Sequence, residues 1–171
     1  MRSQLNASTL ALTPIFFLMR ALSWKGVVLG GITDIVATNI AVFPLAIVAA
    51  MGTDVTSLPE AERGKALIAV MHASLGFQMT GWVLGAMCSI LGGYVAARLA
   101  KRSELLNGAL SAYFCVGVGV YSIVAGHSAT PLWQHLVAFV GSPILGGLGG
   151  YLWVRQTNRT LTASKKMVQP A

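Results

Sequence analysis

GVVLGGITDIVATNIAVFPLAIVAAM, residues 26–51, contains a single ionisable side chain, Asp34, and no sustained alternation of polar and apolar positions. About 20 apolar residues, rising 1.5 Å each in a helix, suffice to cross a hydrocarbon core about 30 Å thick. Three further apolar runs follow at 77–99, 105–125 and 132–154. Lipid offers backbone groups no water, so a spanning segment is either a helix or part of a closed barrel, and runs this long without alternation exclude barrel strands. The expected fold is all-α, a polytopic membrane protein with four antiparallel transmembrane helices. Its connections leave no room for a soluble domain, so residues 1–171 read as a single transmembrane domain with 155–171 as a cytoplasmic tail.

Basic residues set the orientation. Arg2, Arg20 and Lys25 precede the first span, Arg98, Lys101 and Arg102 separate the second from the third, and Arg155, Arg159, Lys165 and Lys166 follow the fourth. Only Arg63 and Lys65 fall on the other side, in a loop that also holds Asp54, Glu60 and Glu62. The positive-inside rule therefore predicts a bacterial inner-membrane protein with both termini in the cytoplasm. The net charge of +7 follows from that topology, so no nucleic-acid partner is expected. Trp24, Tyr94, Tyr151 and Trp153 fall near the cytoplasmic boundary and Trp82, Tyr121 and Trp133 toward the outer one, as interfacial aromatic belts require.

Ahead of the first span, the apolar stretch 10–19 is broken by Pro14 and followed by Arg20, without a small-residue cleavage site. Thr13 as cap and Pro14 as first helical residue predict a short N-terminal helix in the cytoplasmic interface, ending near Trp24. The competing arrangement is a continuous helix from Pro14 to Met51, which requires Arg20 and Lys25 to snorkel. Between the first two spans, Ser57 with Glu60 three residues later forms a capping-box pattern that predicts an outer amphipathic helix leading into the second span. An unbroken helix to Leu99 exceeds one crossing, and Gly76 is the expected break. Ser103 is the expected cap of the third span, with Glu104 in its first turn.

Helices in lipid associate by close packing, which small residues permit. Gly81, Gly85, Ser89, Gly93 and Ala97 recur every fourth position in the second span and predict a continuous packing groove. Gly146 and Gly150 repeat the spacing in the fourth span, Ser111, Cys115 and Gly119 in the third, and Gly26 and Gly30 in the first. Such grooves serve either internal packing of the bundle or docking of another subunit.

Asp34 is the candidate intramembrane polar site, with Thr38 on its own face and Asn39 further round the helix. A charged side chain at the centre of a span costs about 2.5–3.5 kcal/mol on insertion scales, so such residues face the bundle interior or water. His72, His127 and His135 lie toward the outer side, but lack the short spacings of a zinc site, and no metal or cofactor is expected. Cys88 and Cys115 read as small buried residues near mid-span. The chain has no phosphate-binding glycine loop, nucleophile elbow or H-E-x-x-H pattern, so no catalytic residue is expected.

GGYVAARLA at 92–100, followed by ELLNGAL at 104–110, resembles the cytoplasmic hairpin of small four-helix bacterial membrane proteins of uncharacterised function. The resemblance implies a similar bundle and supplies no activity. Within that hairpin Asn107 is placed to hydrogen-bond across helices or to the turn. Two functions fit these features. One is an integral membrane subunit or scaffold that packs against itself or partner membrane proteins, in a homo-oligomer or larger complex. The other is a small oligomeric transporter or channel that uses Asp34.

Overall fold

The computed structural model describes residues 22–125 and 131–168, and every regular element among them is helical. The elements are α1 (Trp24–Met51), a 3-10 turn (Asp54–Ser57), α2 (Glu60–Ala73), α3 (Leu75–Leu99), α4 (Glu104–Ser111), α5 (Tyr113–Val124) and α6 (Leu132–Val168). Four segments are long and apolar enough to cross a membrane: α1, α3, the α4–α5 pair and α6.

Helix ends follow local chemistry, not always that expected. Ser23 is extended (φ −96°, ψ 94°), and its hydroxyl accepts from the Gly26 amide at 3.2 Å, which starts α1 at Trp24. A continuous helix from Pro14 is thereby excluded, while the expected interfacial helix, apart from its last residues, lies outside the described ones. Ser57 does not cap α2. Its hydroxyl donates to the Asp54 carbonyl at 2.7 Å and closes the preceding turn, and α2 begins after Pro59. The charges of α2 gather at Glu60, Glu62, Arg63 and Lys65 and its apolar residues toward its other end, so the helix is polarised along its axis and is not amphipathic around it. The break before α3 falls at Ser74 and not at Gly76, and the Gln78 side-chain amide turns back to the His72 carbonyl across it.

Two departures concern the later spans. The third is interrupted at Ala112, where the Ser111 hydroxyl donates to the Gly108 carbonyl at 2.8 Å, a side-chain bond of the kind that bends helices. The fourth does not stop at Val154. α6 runs on to Val168, because 155–168 contains neither Gly nor Pro and its Thr157, Thr160 and Thr162 hydroxyls donate back into the helix. At 37 residues it is about 55 Å long, well beyond one hydrocarbon thickness.

α3 lies between α1 and α6, whose backbones do not pack closely on each other. α4 packs against α1, α3 and α6, whereas α5 reaches α1 and α6 but not α3. The bundle is consequently closed at one end and open at the other. The closed end carries Lys25, Arg98, Lys101 and Arg102, and there backbones meet. A Cβ at Gly30 would stand 2.7 Å from the Gly92 carbonyl oxygen, one at Gly150 would stand 2.9 Å from that of Glu104, and one at Gly93 would collide with the backbone of Gly146. Only glycine permits these approaches.

Asn107, fully buried, ties this end together. Its Oδ1 accepts from the Ser23 amide at 2.8 Å, and its Nδ2 donates to the carbonyls of Arg102 and Ser103 at 3.0 Å each. Ser103 itself is left-handed (φ 50°) and makes no side-chain cap, so the expected role of its hydroxyl is unfilled, and its carbonyl accepts from both the backbone and the side-chain amide of Asn107. Tyr94 and Trp153 stack edge to face at 5.4 Å, Arg98 lies 5.8 Å from the Trp153 ring, and the Tyr94 hydroxyl donates to Gln156 at 2.7 Å. Aromatic and basic groups thus share the closed end, and Trp82 with Trp133, 5.8 Å apart, mark the other.

Replacing Asn107 with Ala strands the Ser23 amide and takes one donor from the Arg102 carbonyl, while the Ser103 carbonyl keeps the backbone amide of residue 107. The expected loss in a detergent-titration unfolding measurement is about 1–3 kcal/mol, the cost of one stranded polar group. Asn39→Ala removes only an exposed bond to the Ile35 carbonyl and should stay within about 0.5 kcal/mol of the parent.

Candidate functional site

Asp34 sits ten residues into α1, about 15 Å along its axis, where α1 faces α3. It is 1% exposed. Gly30, Gly31 and Gly92 bring it there. A Cβ at Gly92 would stand 2.7 Å from the Asp34 Cβ, and one at Gly31 would stand 2.5 Å from the Phe114 ring, so α1 presses on α3 and α5 at this level.

The carboxylate oxygens accept from the Ser89 hydroxyl at 3.2 and 3.4 Å and from the Thr38 hydroxyl at 3.5 Å. The Cys115 thiol of α5 lies near the same carboxyl group. The hydroxyl donors come from α1 and α3, and among the described residues no Lys or Arg pairs with Asp34. An acid held by hydroxyl and thiol dipoles alone, without a cation, is the electrostatic peculiarity of the molecule. Burial of an ionised carboxylate is ordinarily matched by a paired charge.

Asp34 does not lie in sealed packing. It forms the foot of a cavity of 410 Å³ lined mainly by α3 and α6, in the half of the bundle where α5 does not pack closely on α3. Thr38, Ser89 and Cys115 share the foot, while Gly81, Gly85 and Gly141 line the flanks, with no neighbouring atom within 4 Å of where their Cβ atoms would be. Trp82 and Gln134 lie toward the open end. The change from closed to open falls where Ala112 interrupts the third span and where Pro143 deprives α6 of one amide proton.

The expected packing groove on α3 therefore divides. Ser89, Gly93 and Ala97 are buried between helices, and Gly146 and Gly150 complete that seam against Gly93, Gly108 and Glu104. Gly81 and Gly85, by contrast, face the cavity, so the stripe is not one continuous contact. The period of four was visible in the sequence, but whether a partner backbone stood opposite each glycine depended on the path of α5.

Thr38 joins Asp34 as its spacing suggested, whereas Asn39 turns outward and bonds within its own helix. His72 is half-buried beside the α2–α3 break, and His135 packs with its Nδ1 3.4 Å from where a Cβ of Gly119 would be. His127 lies outside the described residues. Among the described residues no cluster of His, Cys, Asp or Glu could hold a metal. What sequence reasoning missed is that Ser89 and Cys115 serve Asp34. The available signal was that each is the polarisable member of a small-residue stripe near mid-span.

Compared with known proteins, the chain matches no family model, no curated protein and no solved structure.

Gly92→Ala should displace α1 from α3 and lower the thermal midpoint of the detergent-solubilised protein by several degrees. Gly85→Ala, which adds a methyl to open space, should leave that midpoint unchanged within error.

Proposed function

We propose that this chain is a multi-pass protein of a bacterial inner membrane, with both termini cytoplasmic, that admits a small ligand from the periplasmic side to Asp34 as the binding step of a small transporter. The orientation rests on Lys25, Arg98, Lys101, Arg102, Arg155 and Arg159 gathering at the closed end, away from Asp54, Glu60 and Glu62. The observation that carries the functional reading is the buried carboxyl at the foot of a cavity of 410 Å³. Intramembrane ionisable residues that face a cavity mark substrate or ion pathways, and cavities of about 300–1,000 Å³ hold small molecules. The tight glycine seam beyond Asp34 then acts as the closed gate of the path.

A membrane subunit or scaffold is the second reading, favoured by the lack of close backbone packing between α3 and α5, with a cleft flanked by Gly81, Gly85 and Gly141. Native mass measurement after mild extraction separates the two. A homo-oligomer of this chain supports transport, and recovery within a larger hetero-complex supports the scaffold.

Asp34→Asn keeps the size of the side chain and its capacity to bond Ser89 and Thr38. Its expected outcome is a folded protein of unchanged elution volume whose ligand uptake in proteoliposomes falls at least about tenfold, the equivalent of about 1.4 kcal/mol. Uptake equal to the parent's removes Asp34 from the path.

A further inference from the structure

The cavity has a polarity gradient. Its one acidic group lies at the foot, beside Thr38, Ser89 and Cys115, and apart from Ser142 and Gln134 the rest of its lining is apolar or bare glycine. From Ser89, at the foot, to Gly81 and Trp82, near the mouth, α3 rises about 10–12 Å at 1.5 Å per residue. A molecule that fills this space presents one end to a carboxylate and an elongated apolar body to the walls.

Charge selects the end group. Asp34 is 1% exposed and meets no Lys or Arg among the described residues, so a cation brought to it supplies the partner that a buried carboxylate lacks. An anion entering the same space meets a like charge with no basic residue to offset it. Ser89 and Thr38 already donate to the carboxylate, which leaves their hydroxyl oxygens free as acceptors for further N–H groups. A primary ammonium has three such donors and suits this arrangement better than a quaternary one. The flat indole of Trp82 and the unfilled space at Gly81 and Gly85 suit an aryl or alkyl body of about 10 Å.

We propose that the cavity binds an amphiphilic primary amine in its ammonium form, with the charged head against Asp34 and the apolar body lying along α3 toward Trp82. The proposal deepens the ligand-path reading above and rests on it.

The full chain in lipid nanodiscs is titrated calorimetrically with 4-phenylbutylammonium, and in parallel with 4-phenylbutan-1-ol, which keeps the body and a hydroxyl donor but carries no charge. Empty nanodiscs correct for partition into lipid. The expected result is saturable binding of the amine at least about tenfold tighter than the alcohol, lost at least tenfold in Asp34→Asn and abolished in Gly85→Leu, which fills the flank without touching the carboxyl. Elution profiles and helical content equal to the parent's certify that both variants fold. Equal affinity for amine and alcohol, or an Asp34→Asn variant that binds the amine as the parent does, overturns the ammonium assignment. If the alcohol alone binds, and Gly85→Leu blocks it, the cavity stands as a ligand site and only its substrate class falls. If neither compound binds the parent, the ammonium proposal is overturned, and loss of transport in Asp34→Asn then decides separately whether the path survives.

Discussion

Backbone-to-backbone contact at glycine is the constraint on which this bundle depends. Between helices in lipid there is no hydrophobic drive comparable to that in water, so association relies on dispersion over closely fitted surfaces and on hydrogen bonds. Gly30 against Gly92, Gly93 against Gly146, and Gly146 against Gly108 bring three interfaces to their closest approach within one half of the molecule. Asn107 then cross-links the same half through the Ser23 amide and the hairpin carbonyls. Everything beyond that half is held by fewer contacts.

The position of Asp34 is a consequence. Because α1 and α3 are locked at Gly30 and Gly92, the next turn of each helix has little freedom, and Asp34 and Ser89 arrive face to face. Where the third span is interrupted at Ala112, α5 continues without packing closely on α3, and the cavity opens along α3 and α6. A tightly packed end and a vacant end are thus two results of one distribution of small residues. Glycines matched by a partner backbone close the bundle, and glycines without one, at 81, 85 and 141, leave it open.

The electrostatics follow the same division. The closed end concentrates basic side chains, with Arg98 over Trp153 and the Lys101–Arg102 turn exposed. Asp34, at the junction of the two halves, has only dipoles for company. Hydroxyls from α1 and α3 and a thiol from α5 converge on it from three elements, an arrangement that orients the carboxyl group without neutralising it.

Apolar run length and the bar on unpaired backbone in lipid were sufficient for the sequence to determine an all-helical chain with four segments able to span a membrane, since both are properties of each segment alone. Asp34 as the notable intramembrane polar group was equally legible, and so was the four-residue spacing of small side chains. The helix ends were less so. Ser57 and Ser103 fit cap patterns, yet the Ser57 hydroxyl closes the preceding turn on the Asp54 carbonyl, and Ser103 is left-handed and makes no side-chain cap. Only the tertiary structure decided that Ser89 and Cys115 meet Asp34, that Gly93 is packed while Gly85 is bare, and that a cavity lies along α3 and α6. Each of these depends on which backbone stands opposite a given residue, and periodicity within a helix fixes the face that a residue occupies but not what that face meets.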